Sequence, residues 1–442
     1  MRKYILILLP VLYSCVASGQ MDLSTLTATV LNEQAYLQSL YLDLHQSPEL
    51  SFYEFNTAKR MATEMEAIGL EVHPNIGGTG VVGVLRNGGG PTVMIRADMD
   101  ALPLVEDTGL PYASGVTTED ESGNTVGVMH ACGHDIHMSV LIGSARVLQQ
   151  TKGKWQGTVI FIAQPAEERS GGAKAMLADG LFEDFPMVEY ALALHVNSSL
   201  PAGTVGYCPE YMMANVDMMD ITVYGEGGHG AYPETTKDPV MLASRIVVAL
   251  QTIVSREISP LEPAVVTVGS IHGGSKGNII PGEVKLELTM RSYSDLVRNE
   301  IIEKIKRICN GVAMSAGLRE DQYPKVFLRD EYTPALYNDP ELSEKVVHVF
   351  KALHGADRVI RVGPSMVGED FGRYGATDEK IPIMMFWLGA VPQERIDASN
   401  RGELKLPSLH SAQFYPDYQT TIQTGVESMS AAVLELMGAL EK

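Results

Sequence analysis

Thr158-Val159-Ile160-Phe161-Ile162-Ala163-Gln164-Pro165-Ala166-Glu167-Glu168 is the stretch of this 442-residue chain whose reading decides the fold. Its opening run is apolar or β-branched with no polar alternation, the pattern of a strand buried on both faces. Pro165 interrupts the strand, and two carboxylates follow beyond its carboxyl end, the edge where open α/β sheets build their sites. Similar short runs lie at residues 81–85, 92–95 and 190–194. Helical periodicity fills the intervals around residues 136–148 and 173–177. Upstream it recurs over residues 26–44, and again from about Phe52 until Gly69 stops it. This alternation predicts an α/β domain with a largely parallel sheet covered on both faces.

The pattern changes near Asn215. Residues 217–224 read as a strand, 238–254 as a helix opening at Asp238-Pro239, and 264–271 and 283–291 as two more strands. A helix over 295–315 and a strand from Lys325 complete a β-α-β-β-α-β order, the split arrangement of a ferredoxin-like α+β domain. Glu283-Val284-Lys285-Leu286-Glu287-Leu288 alternates as a strand with one wet face does, which suits an open two-layer lid. After Tyr332-Thr333-Pro334 the α/β pattern resumes, with a strand at residues 381–388 and a closing helix after Asp417. The expected organisation is a leader over 1–20, a discontinuous α/β domain over 21–214 and 331–442, and an inserted lid over 215–330.

Length alone favours two domains, and 45% hydrophobic with 20% charged residues is ordinary globular composition. A net charge of -20 argues against a nucleic-acid partner, since phosphate binding needs a basic face. At the amino terminus Arg2 and Lys3 precede an apolar run over residues 4–16, then Ala17, Ser18 and Gly19. That order predicts export, to the periplasm or medium, either by a signal peptide cleaved near Gln20 or with a lipid anchor at Cys15. No other apolar run reads as long enough to cross a membrane. Without Cys15 the cysteines are Cys132, Cys208 and Cys309, an odd number that leaves at least one thiol unpaired.

His130-Ala131-Cys132-Gly133-His134-Asp135 places a thiol and two imidazoles in a loop that opens a helix. A Cys and a His two residues apart in extended backbone can meet one metal or adjacent metals, and both suit zinc-like ions. Taken singly, such a cluster is more often structural, a Glu pair is usually a solvated loop, and His195 is an ordinary core histidine. Their common position beyond strand ends changes the weighing. Thiol, imidazoles and carboxylates gathered at one edge can hold two divalent cations, with a neighbouring carboxylate left free to deprotonate water.

In these residues and those around them the chain resembles the M20 metallopeptidase family, in the branch of aminoacylase, hippurate hydrolase and auxin-conjugate amidohydrolases. The resemblance rests on Arg96-Ala97-Asp98-Met99-Asp100-Ala101-Leu102-Pro103, the Cys132 motif and Pro165-Ala166-Glu167-Glu168. It continues through Gly227-Gly228-His229-Gly230-Ala231, Asn278-Ile279-Ile280-Pro281, Gly368-Glu369-Asp370-Phe371 and Leu409-His410-Ser411. It implies a metal-dependent amidohydrolase that cleaves N-acyl amino acids or related conjugates, with two divalent ions, zinc or manganese. Cys132 is similar to the bridging thiolate, with His134, Glu168, His195 and His410 completing the shells, and Glu167 to the general base. Asp100 resembles the carboxylate that fixes a ligand. His229 resembles the histidine that family homodimers, joined through the lid, donate across the interface to the oxyanion. Asn278 and Arg291 resemble groups that hold the substrate. One departure bears on substrate range: Pro233-Glu234 stand where related sequences carry a histidine after the lid proline.

Two other readings compete. Gly273-Gly274-Ser275-Lys276-Gly277 matches the serine-hydrolase motif and would make Ser275 a nucleophile, but that motif needs a strand-to-helix elbow and a strand is predicted next. A non-catalytic binding protein on a hydrolase fold is the other, against which an intact Glu167 stands. Gly225-Glu226-Gly227-Gly228-His229-Gly230 matches a dinucleotide fingerprint, yet no helix opens from it.

Overall fold

A computed structural model describes residues 20–330 and 332–441. The leader and Cys15 therefore lie outside the described residues. The chain begins with α1 (Leu23–His45), capped by the Asp22 side chain on the Thr25 amide, and α2 (Phe55–Ile68), closed by left-handed Gly69. There follow β1 (Glu71–Ile76), β2 (Gly80–Asn87), β3 (Thr92–Asp98), α3 (His134–Gln150), β4 (Gly157–Gln164), α4 (Gly172–Ala178), β5 (Tyr190–Pro201) and β6 (Val205–Tyr207).

The second group is β7 (Asn215–Tyr224), α5 (Pro239–Thr252), β8 (Ala264–His272), β9 (Glu283–Ser292), α6 (Asp295–Ser315) and β10 (Lys325–Leu328). Asp238 caps α5 with Pro239 in its first turn, as Asp-Pro does best. The chain then returns through α7 (Pro340–His354), β11 (Val359–Arg361), β12 (Ile383–Val391) and α8 (Tyr418–Leu436).

Eight strands form the main sheet in the order β1-β2-β4-β3-β5-β12-β6-β11. Its centre, β4-β3-β5-β12, is parallel, as the buried runs require. The flanks are not: β1 and β2 form a hairpin, β2 runs antiparallel to β4, and β6 antiparallel to β12. A hairpin needs only a tight turn, so no crossover helix announces it in the sequence. Along β4 the side chains of Val159, Phe161 and Ala163 join one core while Ile160 and Ile162 join the other, so both faces are covered. Helices α1, α3 and α8 pack on the first face. There Gly143 lets α3 approach α8: a Cβ at that position would stand 2.5 Å from a Val426 methyl.

The second sheet, β8-β9-β7-β10, is antiparallel throughout and is the ferredoxin-like unit read from the sequence. It has its own core of Ile221, Leu250, Leu286, Leu288 and Ile305. The helical stretch Pro239–Glu257 is long and apolar enough to cross a membrane by length and composition, which the sequence reading missed. Its Leu242, Ala243, Ile246 and Leu250 are instead buried in the core of this second sheet.

Three local expectations are corrected. Helix α2 starts at Phe55 rather than near Phe52, because Phe52 takes a left-handed φ of 65°. The Cys132–His134 backbone is not extended: left-handed Gly133 turns it directly into α3. His195 does not end its strand but lies within β5, in register with Trp387 of β12.

Candidate metal centre

The parallel strands deliver their carboxyl ends to one place. Strand β3 leads to Asp98 and Asp100, β4 to Glu167 and Glu168, and β5 carries His195. Cys132 and His134 flank Gly133, whose φ of 80° and closeness to Val196 leave no room for a Cβ. His410 arrives from the far end of the chain, and its amide donates to the Ala131 carbonyl at 3.0 Å.

Among the described residues several groups of potential ligand atoms meet there, one of them His134 with Glu167 and Glu168, and two triads share one sulfur. Cys132, His134 and His195 form the first, and Cys132, Glu168 and His410 the second. Cys132 Sγ lies 3.5 Å from His195 Nε2 and 3.2 Å from His410 Nε2, which is itself 3.3 Å from Glu168 Oε1. His134 Nε2 is buried with no hydrogen-bond partner, a costly state unless something else satisfies it. A pair of divalent cations fits this donor set, since thiolate, imidazole and carboxylate would each lose an unmet demand. The sequence-predicted ligands Cys132, His134, Glu168, His195 and His410 are thus brought together.

Electrostatics agree with that fit. Burial and the nearby Asp98, Asp100 and Glu168 charges compete at His134, and the charges prevail, lifting its pKa to about 10. The pocket therefore calls for positive charge at this imidazole. Burial and His137 push His195 well below the ordinary histidine value, leaving it neutral, the form that ligates. Burial, with Glu168 and Glu167 adding to it, pushes the Cys132 thiol far up, so a dication is what would make it a thiolate.

Glu167 sits beside the triads, its Oε2 3.9 Å from His134 Nε2. Burial and the Glu369 charge hold its carboxyl well above the usual range. Asp100 organises this corner. One of its carboxylate oxygens accepts the Glu167 amide at 3.1 Å and the other the Glu168 amide at 3.0 Å. Its backbone carbonyl is 2.8 Å from His134 Nδ1, which orients the free Nε2 toward the triads.

Sequence reasoning missed a layer beneath. Asp98 accepts from His137 Nδ1, and His137 Nε2 in turn accepts the Val196 amide at 3.0 Å, bracing the strand beside His195. Arg96, fully buried, pairs with Asp98 at 2.6 Å, Glu369 at 2.9 Å and Asp370 at 2.8 Å. Arg96, Asp98, Glu369 and Asp370 belonged to recognised motifs but carried no assigned task, because their partners lie up to 274 residues away, and His137 lay outside every motif.

The triads open into a cleft of about 850 Å³. Its walls include Met213, Val216, Met218, Val367 and Trp387, with Arg291 as a cation facing them from the second sheet. His229 and Asn278 are not in this cleft; both are exposed, His229 in a short strand paired with Ile279–Ile280 and Asn278 just before that partner strand. Ser275 is exposed in the loop before the second of these strands, with no helix following, so it lacks the nucleophile elbow. Cys132, Cys208 and Cys309 are all free.

Residues 94–409 match the family model described as peptidase family M20/M25/M40. A thermostable carboxypeptidase of Saccharolobus solfataricus is 37% identical over 350 residues, covering 78% of this chain and 84% of the relative. A hippurate hydrolase of Campylobacter jejuni is 38% identical over 346 residues, covering 78% and 86%. The solved structure of the Bacillus subtilis YXEP protein, described as a dinuclear metal binding peptidase from the M20 family, aligns over 93% of this chain and all of that one, with a TM-score of 0.72 at 28% identity. Its fold, a catalytic unit with a lid, is the one described above. The matched span exceeds half of the sequence, and the chain is a hydrolase belonging to the peptidase family M20/M25/M40.

Proposed function

We propose that the protein hydrolyses the amide bond of N-acyl amino acids and related conjugates, giving a carboxylic acid and a free amino acid. The observation that carries this reading is the pair of triads sharing Cys132, with Glu167 beside them but outside both. Cys132, His134 and His195 would hold one ion, Cys132, Glu168 and His410 the other, with zinc or manganese as the candidates. Bound there, divalent ions supply Lewis acidity for the amide carbonyl and for water. Glu167 then takes the proton of the attacking water and returns it to the leaving nitrogen. The opposite charge felt by Arg291 is that of Asp217, which is already committed to Arg298 at 2.7 Å, so its guanidinium suits the free carboxylate of a substrate. That contact fits equally the terminal residue of a short peptide, the reading the carboxypeptidase relative favours.

The protein further reads as a homodimer through the lid. Strand β8 is an unpaired sheet edge, and Met241, Val248, Ile271 and Ile279 expose half or more of their surface on the same unit. Association would let exposed His229 reach the oxyanion in the partner's site and would give exposed Asn278 a substrate to hold. Sedimentation at micromolar protein tests this, and a monomer with full activity would overturn it. Export is proposed on the residues before Gln20, and mass spectrometry of the native protein should find a start near Gln20 or a lipidated Cys15.

The direct test is a panel of N-acetyl, N-benzoyl and long-chain acyl amino acids and dipeptides, assayed with metal analysis of the purified protein. Hydrolysis lost with a chelator and untouched by phenylmethylsulfonyl fluoride is expected. Turnover of no amide at all would favour a binding protein instead.

A further inference from the structure

The turn that presents Glu167 and Glu168 is held from outside the site. Three successive amides, those of Ala166, Glu167 and Glu168, point at carboxylates: the first at Glu54, the other two at Asp100. Ala166 adopts a left-handed φ of 48°, an uncommon conformation for a residue with a Cβ, which persists only where its surroundings enforce it. Its amide donates to Glu54 Oε1 at 2.8 Å, and its carbonyl accepts from Gly171 and Gly172.

Glu54 is itself immobilised. It is fully buried, Oε1 also accepts the Phe52 amide at 2.9 Å, and Oε2 accepts the Thr79 hydroxyl at 2.7 Å. The left-handed turn at Phe52, which displaced the start of α2, is what brings this carboxylate under Ala166. Its neighbour Ser51 donates to Asp100 Oδ2 at 2.6 Å, so residues 51–54 reach both anchors of the acid pair.

We propose that Glu54 is a positioning residue of the hydrolytic site: by holding the Ala166 amide it fixes the turn that aims Glu167 at the reacting centre. This rests on the reading of Glu167 as the proton carrier. A displacement of about 1 Å in such a group costs about 10²-fold in rate. Although the turn lines one side of the cleft, the walls that would carry most of the substrate, Met213, Val216, Met218 and Arg291, stand on other elements.

The experiment compares Glu54→Ala, Glu54→Gln and Thr79→Val with the parent enzyme, on the best amide of the panel, at saturating metal and well below each melting temperature. Glu54→Ala should lower kcat by about 10²-fold with KM within about twofold. Glu54→Gln keeps an acceptor oxygen and should recover most of that loss. Thr79→Val removes a partner of the same carboxylate without freeing Ala166, so it should lower Tm and leave kcat near the parent value. If Glu54→Ala does not fold, Glu54→Asp withdraws the oxygen while keeping the charge and should lower kcat in the same selective way. Equal kcat in the Glu54 variants and the parent, or a loss in Thr79→Val matching that in Glu54→Ala, would overturn the proposal. A parent enzyme inactive on every amide would instead overturn the functional reading beneath it.

Discussion

Cys132 and His410 are 278 residues apart in the chain and 3.2 Å apart at the site, sulfur to Nε2. That contact joins the two halves of the discontinuous domain at one atom, and the same sulfur faces His195 from the other side. The two triads are therefore separable by mutation only through their unshared members.

Removing the shared sulfur should disable both. Cys132→Ala is expected to lower metal content and activity together, because a methyl cannot replace a thiolate. His410→Ala and His195→Ala, each confined to one triad, should each reduce occupancy toward one ion per chain. Elemental mass spectrometry reads all three, and full occupancy in Cys132→Ala would remove it from the ligand set.

Glu167 and Glu168 are adjacent yet should behave differently. Glu167→Gln is expected to keep both ions and substrate affinity while kcat falls on the order of 10²–10⁴-fold. Glu168→Gln should instead lose metal, with partial recovery of rate in excess metal. Parallel kcat and metal measurements decide, and a metal-poor Glu167→Gln would reverse the roles.

Arg291→Ala should raise KM for N-acyl amino acids by removing one charge-assisted contact, worth about 1.5–3 kcal/mol or roughly 10- to 150-fold. The same variant should discriminate less between a substrate and its carboxamide analogue. An unchanged ratio of kcat/KM for that pair would show that Arg291 does not read the carboxylate.

His45 gives the fold a pH dependence of its own. It is buried, with Nδ1 2.7 Å from Asp135 and Nε2 3.2 Å from Glu106, and the Tyr41 and Tyr112 rings complete its surroundings. Burial alone would depress its pKa, but the two carboxylates outweigh it and lift the value from 6.5 to about 9. A folded pKa above the unfolded one means the stabilisation is fully present below pH 6.5 and is lost as pH rises to about 9. The shift corresponds to about 3 kcal/mol. Urea unfolding at pH 6.5 and 9.5 should show the loss in the parent protein and a flatter profile in His45→Gln; identical profiles would contradict it.

What the sequence made legible followed from how local each signal is. Glu167-Glu168 directly after a buried strand, or the six residues around Cys132, place donors by position alone. The order of elements from Asn215 to Leu328 likewise announces the ferredoxin-like unit, because each strand there alternates. The Arg96 cluster was invisible as a cluster, since nothing about Glu369 or Asp370 signals a partner on β3. Phe52 and Tyr53 mimicked a first helical turn by their apolar spacing, but Phe52 is left-handed and its amide donates to the Glu54 carboxylate that also holds Ala166, so the helix waits for Phe55.

The placing of β12 has a consequence for how the molecule is made. This strand fills the gap between β5 and β6, yet it is synthesised after the whole inserted unit. Until residue 391 has emerged, β5 presents an apolar edge with no neighbour, and such edges invite intermolecular pairing. Contacts this distant in sequence also close slowly. Refolding from urea should accordingly be slow and sensitive to protein concentration, with light scattering rising when folding is interrupted. A chaperone that shields β5 during synthesis would protect the molecule at the step where it is most exposed.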